Sequence, residues 1–444
     1  MTSPASFTDF AETISANARI IDEFLNSNST IPRPSFAPDG PIGFPCPPQI
    51  TPIHAAREAL LDASKKLYQL ALGPLESLFE LAVRCHDSAC LHAIYRFDMA
   101  AKVPVDGEKS FAEIAEAIGV DEDRTRRVLK FAMTNGLFKE ARPGFVSHTS
   151  VSALMAQNTM GVNAVVGHVI DDTYPASCKL ADTMEKYPVP KNRLIETPFA
   201  MAYQTGEPFF DYMKKHPHRI NRFQEAMRAI NNSGPYSGET LAQGYDWSPF
   251  ESGTLVDVGG SSGHTALKIA DASSISNIIV QDINVKEVKN AQKGLEKKYE
   301  GRVRFMEHDF FKPQPVKDAD AYFFRLIFHD WPDQECIEIL RNLVPALKSG
   351  ASILICDSVL PEPNTVPNRL EKEARICDLH MLSLIGSTER EIGAWQSLFA
   401  AADPRFKFIG AKQPSGSVLS VVEAKWEANG ALANGGDTNG VNGS

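Results

Sequence analysis

Apolar residues recur at helical spacing after Pro52: Leu60, Ala63, Leu67, Leu70 and Ala71 predict one helix, and beyond Gly73-Pro74 the set Leu75, Leu78, Phe79, Ala82 and Val83 predicts a second. Both are apolar enough to be expected against another subunit. The preceding residues 29–52 hold Pro32, Pro34, Pro38, Pro41, Pro45, Pro47 and Pro48 with two glycines, which predicts an extended arm that something else must hold down. Between 110 and 147, Phe111, Ile114, Ala117 and Ile118 share a helical face, Gly119-Val120-Asp121 turns the chain, and Val128, Leu129 and Ala132 line a second helix. Leu137-Phe138 and Phe145-Val146 then flank a turn at Pro143-Gly144, so the segment reads as a winged helix.

From residue 252 the pattern changes to short apolar runs. Residues 254–258, 278–282, 303–306, 321–324 and 352–356 read as strands, each separated by a helix-length segment, which predicts an α/β fold with a doubly wound parallel sheet. Pro332, Asp333 and Glu335 start a helix with the stripe Ile337, Leu340, Leu343, Val344 and Leu347, stopped at Gly350. Residues 406–410 and 418–423 flank a Pro-Ser-Gly-Ser turn and are expected to pair as a hairpin. Residues 429–444, rich in Gly, Asn and Ala, are expected to be a disordered tail.

With 444 residues the chain has room for two or three domains at roughly 150 residues each. Forty-five Lys and Arg against fifty-five Asp and Glu give a net charge of -10, which disfavours a polyanionic partner. Residues 110–150 balance six basic against six acidic side chains, so the winged-helix pattern carries no basic stripe for DNA. The first positive side chain is Arg19, after Asp9 and Glu12, with no apolar leader behind it, and the uncharged stretch 145–170 is too polar to cross hydrocarbon. A cytoplasmic protein with no membrane or nucleic-acid partner is the expectation. The seven cysteines form an odd set without C-x-x-C, and Cys85, His86, Cys90 and His92 match no zinc spacing, so neither a disulfide frame nor a metal is expected.

Chemistry gathers at the strand ends. Asp257-Val258-Gly259-Gly260-Ser261-Ser262-Gly263 closes the first strand and opens a helix, where small residues let the backbone approach a ligand. Val258 in place of the first glycine weakens a nicotinamide-dinucleotide reading. Asp282 ends the second strand, where a carboxylate accepts both hydroxyls of a ribose. Asp309 ends the third, placed for an adenine amino group, with Phe310 beside it to cover the ring. Single strand-end acids are ordinary helix caps; three in succession favour a nucleoside-type ligand. His329 follows the fourth strand, where a neutral imidazole takes a proton near pH 7, and Asp357 and Glu389 are carboxylates within its reach.

The run DVGGSSGH, Asp282, HDFF at 308–311, FRLIFHDWPD at 324–333, ICDSVLPE at 355–362 and STERE at 387–391 resemble S-adenosylmethionine-dependent O-methyltransferases. The plant caffeic acid enzymes typify the group, and the fungal secondary-metabolism relatives of the sterigmatocystin O-methyltransferase type are closest. The resemblance covers about 53–425. It implies a Rossmann-like methyltransferase domain at 246–428, a mostly helical winged-helix dimerisation domain at 53–245 that also lines the substrate, and an arm at 1–52 without plant counterpart. It implies a homodimer, S-adenosylmethionine held by Gly259, Gly260, Asp282, Asp309, Phe310 and Arg325, and His329 as general base flanked by Asp357 and Glu389. Arg325 stands where the plant enzymes usually have Lys, and Ser261 replaces a third glycine. Met184, Met201, Phe209, Met227 and Met381 fall where the family lines its acceptor pocket, expected to be that of an aromatic or polyketide-type hydroxyl compound. A pericyclic or dehydration reaction on the same fold, with the cofactor in a structural role, is the alternative.

Overall fold

The computed structural model describes residues 6–47, 50–232 and 234–428. The tail expected at 429–444 lies outside the described residues. Contacts divide the chain into two compact units, one of residues up to 237 together with Pro361–Gly386, the other of Gly238–Leu360 together with the residues from Ser387 onward. The second unit is therefore interrupted: the helix Asn368–Ile385 belongs with the first.

In the first unit a helix not read from the sequence, α1 (Phe7–Ser27), precedes the proline-rich segment, and its capping box pairs Ser6 with Asp9. Ile21 and Leu25 of α1 pack with Cys46, Ile53 and Ala56, and Ile31 and Phe44 join the edge of this cluster. That cluster holds the proline-rich segment down. The two expected apolar helices are both present within α2 (Thr51–Val83), separated at Gly73, whose φ of +72° and the following Pro74 interrupt the helical ladder. Leu75, Leu78, Phe79, Leu81 and Val83 remain exposed beyond this break.

After α3 (Cys85–Arg96) come β1 (Glu108–Ser110), α4 (Phe111–Ile118), α5 (Glu122–Thr134), β2 (Lys139–Arg142) and β3 (Phe145–Ser147), with the strands ordered β1-β3-β2. Ser110 and Glu113 form a capping box at the start of α4. Phe111, Ile114, Leu129, Phe138 and Val146 fill the core beneath. Cys90 donates to the Val128 carbonyl while His92 pairs with Asp171, so the Cys/His cluster of α3 disperses into separate contacts.

The second unit contains seven strands, β4 (Thr254–Val258), β5 (Asn277–Asp282), β6 (Val303–Glu307), β7 (Ala321–Arg325), β8 (Ser352–Asp357), β9 (Phe406–Lys412) and β10 (Ser420–Trp426), in the order β6-β5-β4-β7-β8-β10-β9. The pairs from β6 through β8 are parallel; β10 runs antiparallel to both β8 and β9. β8 is buried along its whole length, as expected of a strand covered on both faces. One expectation fails: no helix separates β6 from β7, because residues 308–320 carry Pro313 and Pro315 and turn locally through Asp309. The helix Asp333–Leu343 also stops short of the expected stripe, and Val344–Ala346 is a 3-10 turn.

Candidate active site

Because β4 to β8 are parallel, their carboxyl ends share one edge of the sheet, and every candidate at a strand end comes to that edge. The glycine turn leaves β4. Gly259 has φ +77°, and a Cβ there would stand 2.7 Å from Ile327 Cδ1 and 3.8 Å from Phe310. The turn, Phe310 and the loop that carries His329 therefore converge. A Cβ on Gly260 would run into the Asp257 carboxylate, 2.6 Å from its Cγ. Ser261, at the position of the missing glycine, takes φ +53°; its N–H donates to Asp282 Oδ2 at 3.0 Å and its hydroxyl to Glu287 at 2.8 Å. The second oxygen of Asp282 accepts from Asn284 N–H at 2.8 Å, so the carboxylate is aimed by backbone on both sides.

Asp309 accepts from Phe311 N–H at 3.0 Å, and the Phe310 and Phe311 rings pack on Trp331. Arg325 ends β7 in register with Cys356 of β8. Burial pushes the Asp257 carboxyl up to about 7, against the pull of Arg325 and with a push from Asp282. Its Oδ2 is buried without a hydrogen-bond partner.

His329 sits in the 3-10 turn Phe328–Asp330, and its side chain is 16% exposed. The Nδ1 atom is 3.0 Å from Glu389 Oε1, and Nε2 is 3.7 Å from Asp330 Oδ1. Glu389 is itself buried. Asp357 does not hydrogen-bond the ring; its Oδ2 accepts from Phe328 N–H at 3.1 Å and its Oδ1 is buried without a partner. Burial works against the charged imidazole, yet Asp330, Glu389 and Asp357 together outweigh it and raise His329 well above the ordinary histidine value. Burial raises the Asp330 and Asp357 carboxyls, each opposed by His329. Two residues around the base were not anticipated from the sequence: Asp330, beside His329 in the chain, and Arg390, beside Glu389, whose guanidinium donates to the Phe328 and Trp331 carbonyls; adjacency to a candidate was the available signal.

The methionines lie in the first unit. Met381 borders a cluster of Phe199, Phe209, Leu384 and Ile385, with Phe209 fully inside it. Met184 is 63% exposed, Met227 is half-buried on the helix Pro217–Asn231, and Met201 accepts from the Thr183 hydroxyl.

Residues 180–404 match the O-methyltransferase domain family and residues 79–158 its dimerisation domain. The chain belongs to the O-methyltransferase family. This O-methyltransferase is 36% identical over 419 residues to the grayanic acid biosynthesis cluster O-methyltransferase of Cladonia grayi, covering 94% of this chain and 87% of that one. It is also 36% identical over 421 residues to O-methyltransferase pgmB of Aspergillus terreus, covering 94% and 95%. Among solved structures, OxaC in complex with S-adenosylhomocysteine and oxaline superposes with a TM-score of 0.74 at 21% identity, over 95% of this chain and 99% of that one. LepI in complex with S-adenosylmethionine gives 0.68 at 22%, over 94% and 100%. These two likenesses carry the fold. The enzyme is thus an S-adenosylmethionine-dependent O-methyltransferase of the fungal secondary-metabolism type. Its strand-end edge fits that cofactor: Asp282 and Asp309 offer carboxylate acceptors, Phe310 an aromatic face, and the turn at Gly259 a close backbone. No helix of the described residues is long and apolar enough to cross a membrane.

Proposed function

We propose that the enzyme methylates a phenolic hydroxyl of an aromatic or polyketide-type metabolite, with His329 as the general base. The observation that carries this reading is the 3.0 Å contact between His329 Nδ1 and Glu389. A carboxylate only accepts hydrogen bonds, so Nδ1 carries a hydrogen in either protonation state, and in the proton-free ring Nε2 is the proton acceptor. S-adenosylmethionine, when bound, supplies an electrophilic methyl on a sulfonium and leaves as S-adenosylhomocysteine. A phenol has a pKa near 10 and is a weak nucleophile at neutral pH, so His329 Nε2 removes its proton as the oxygen attacks. Glu389 holds the ring and its tautomer; Asp357 acts through the backbone of Phe328 and through its charge. The rest of the rate would come from holding the acceptor oxygen beside His329 in a fixed orientation before transfer.

In this reading Asp282 takes the ribose hydroxyls, Asp309 the adenine amino group, Phe310 the purine face, and Gly259, Gly260 and Arg325 complete the cofactor site. Met184, Met227 and Met381 serve the acceptor, Met381 having the strongest support from its aromatic surroundings. The exposed apolar end of α2 and the dimerisation domain support a homodimer, working in the cytoplasm. Incubation with S-adenosylmethionine and a panel of phenolic polyketides tests the function: one product gaining a methyl mass with stoichiometric S-adenosylhomocysteine is expected. Conversion of an acceptor without S-adenosylhomocysteine would favour a pericyclic or dehydration reaction.

A further inference from the structure

We propose that Arg390 is the positioning residue of the His329 turn, a buried guanidinium that grips the backbone on both sides of the base and so sets the direction of its imidazole. The inference rests on the reading of His329 as base. Arg390 is 2% exposed. Its Nη1 donates to the Phe328 carbonyl at 2.9 Å and its Nη2 to the Trp331 carbonyl at 2.8 Å. Nε and Nη2 both donate to Asp333 Oδ1, at 3.0 and 2.8 Å, and the guanidinium lies over the Trp395 ring at 5.3 Å. The backbone carbonyl of Arg390 accepts from Leu360 N–H, which ties the clamp to the chain leaving β8.

Phe328, the residue before the base, is therefore held at its N–H by Asp357 and at its carbonyl by Arg390. The turn needs such restraint. Leu326 just ahead of it takes φ +54°, a left-handed conformation that is unfavourable for a side-chain-bearing residue and persists only where surroundings over-determine it. Glu389 and Arg390 restrain different parts of the same turn, since Glu389 fixes Nδ1 of the ring and Arg390 fixes the backbone that carries it. Only a planar fork reaches two carbonyls and a carboxylate at once, which a lysine ammonium does not reproduce. Arg390 is too buried to meet an acceptor and acts through His329.

The test is Arg390→Lys in the full-length enzyme, checked for native S-adenosylhomocysteine affinity. Turnover should fall about 10- to 100-fold, the scale of a misplaced catalytic group, with KM for S-adenosylmethionine within about two-fold of native. The acid limb of the pH–rate profile should move down as the ring slips from Glu389 and Asp330. In a His329→Gln background the same change should add no further loss, because the two residues act as a unit. Native turnover by folded Arg390→Lys, or a full additional loss in the His329→Gln background, overturns the proposal. If Arg390→Lys does not fold, Asp333→Ala decides: it removes the oxygen to which both Nε and Nη2 donate, and native turnover with a native pH profile overturns the proposal. Native turnover by His329→Gln removes the base itself, whereas native turnover by Arg390→Lys beside a crippled His329→Gln removes the clamp alone.

Discussion

Glu389 Oε1 stands 3.0 Å from His329 Nδ1 although sixty residues separate the two in the chain. The contact orients the ring and leaves Nε2 3.7 Å from the nearest carboxylate oxygen of Asp330, beyond hydrogen-bond length. Replacing His329 with Gln should keep S-adenosylhomocysteine binding and lower turnover by about two to four orders of magnitude, the usual worth of a positioned base. Calorimetry and steady-state kinetics on the same preparation check both halves; a native rate would make His329 structural.

The pH dependence follows from the sign of the His329 shift. Asp330, Glu389 and Asp357 raise the imidazole above its ordinary value near 6.5, so the proton-free base accumulates only at higher pH. The acid limb of kcat/KM should therefore lie above the usual histidine range. Glu389→Gln keeps an oxygen at Nδ1 but removes its charge, and should move that limb to lower pH. The same linkage makes the His329 contribution to stability complete below the unfolded pKa and lost as pH rises through the folded one. An acid limb unmoved by Glu389→Gln would contradict the assignment.

Asp282→Ala should weaken S-adenosylhomocysteine binding by about 1–3 kcal/mol, through lost ribose hydrogen bonds and release of the Ser261 and Asn284 N–H groups that it now accepts. Titration calorimetry giving equal affinity for both proteins would remove Asp282 from the cofactor site.

Gly259→Ala should be worse than an ordinary glycine replacement, since it meets both a φ of +77° and Ile327 Cδ1 at 2.7 Å. Cofactor affinity and turnover should fall together, because Ile327 lies two residues before the base. A variant with native values in both would show that the turn and the His329 loop are uncoupled.

Assembly is tested at the end of α2. Leu78 and Phe79 are 61% and 60% exposed in the single chain, within a run of exposed apolar residues that a soluble monomer would not keep. Light scattering should report a dimer at micromolar concentration, and the double change Leu78→Asp, Phe79→Asp should give a monomer. A native chain that is already monomeric would contradict this.

Much of the second unit was legible in the sequence because its signals are local. The inner parallel strands read as apolar runs because they are covered on both faces, the edge strand β6 less clearly with Arg304 and Glu307 exposed, and the positions of Asp282, Asp309, His329 and Asp357 at or just beyond strand ends followed from counting along those runs. The helix α1 was masked by the prolines that follow it, and the missing helix between β6 and β7 was masked because strand spacing alone does not say what fills it. Tertiary structure decided what depends on approach between distant segments: that Glu389 and not Asp357 bonds the imidazole, that Asp330 charges its other side, and that Arg390 closes on Phe328 and Trp331. Hydrophobic periodicity encodes which face of an element is buried. It does not encode which of several carboxylates, each at the end of a different strand or loop, the packed backbone will bring within 3 Å of a given nitrogen.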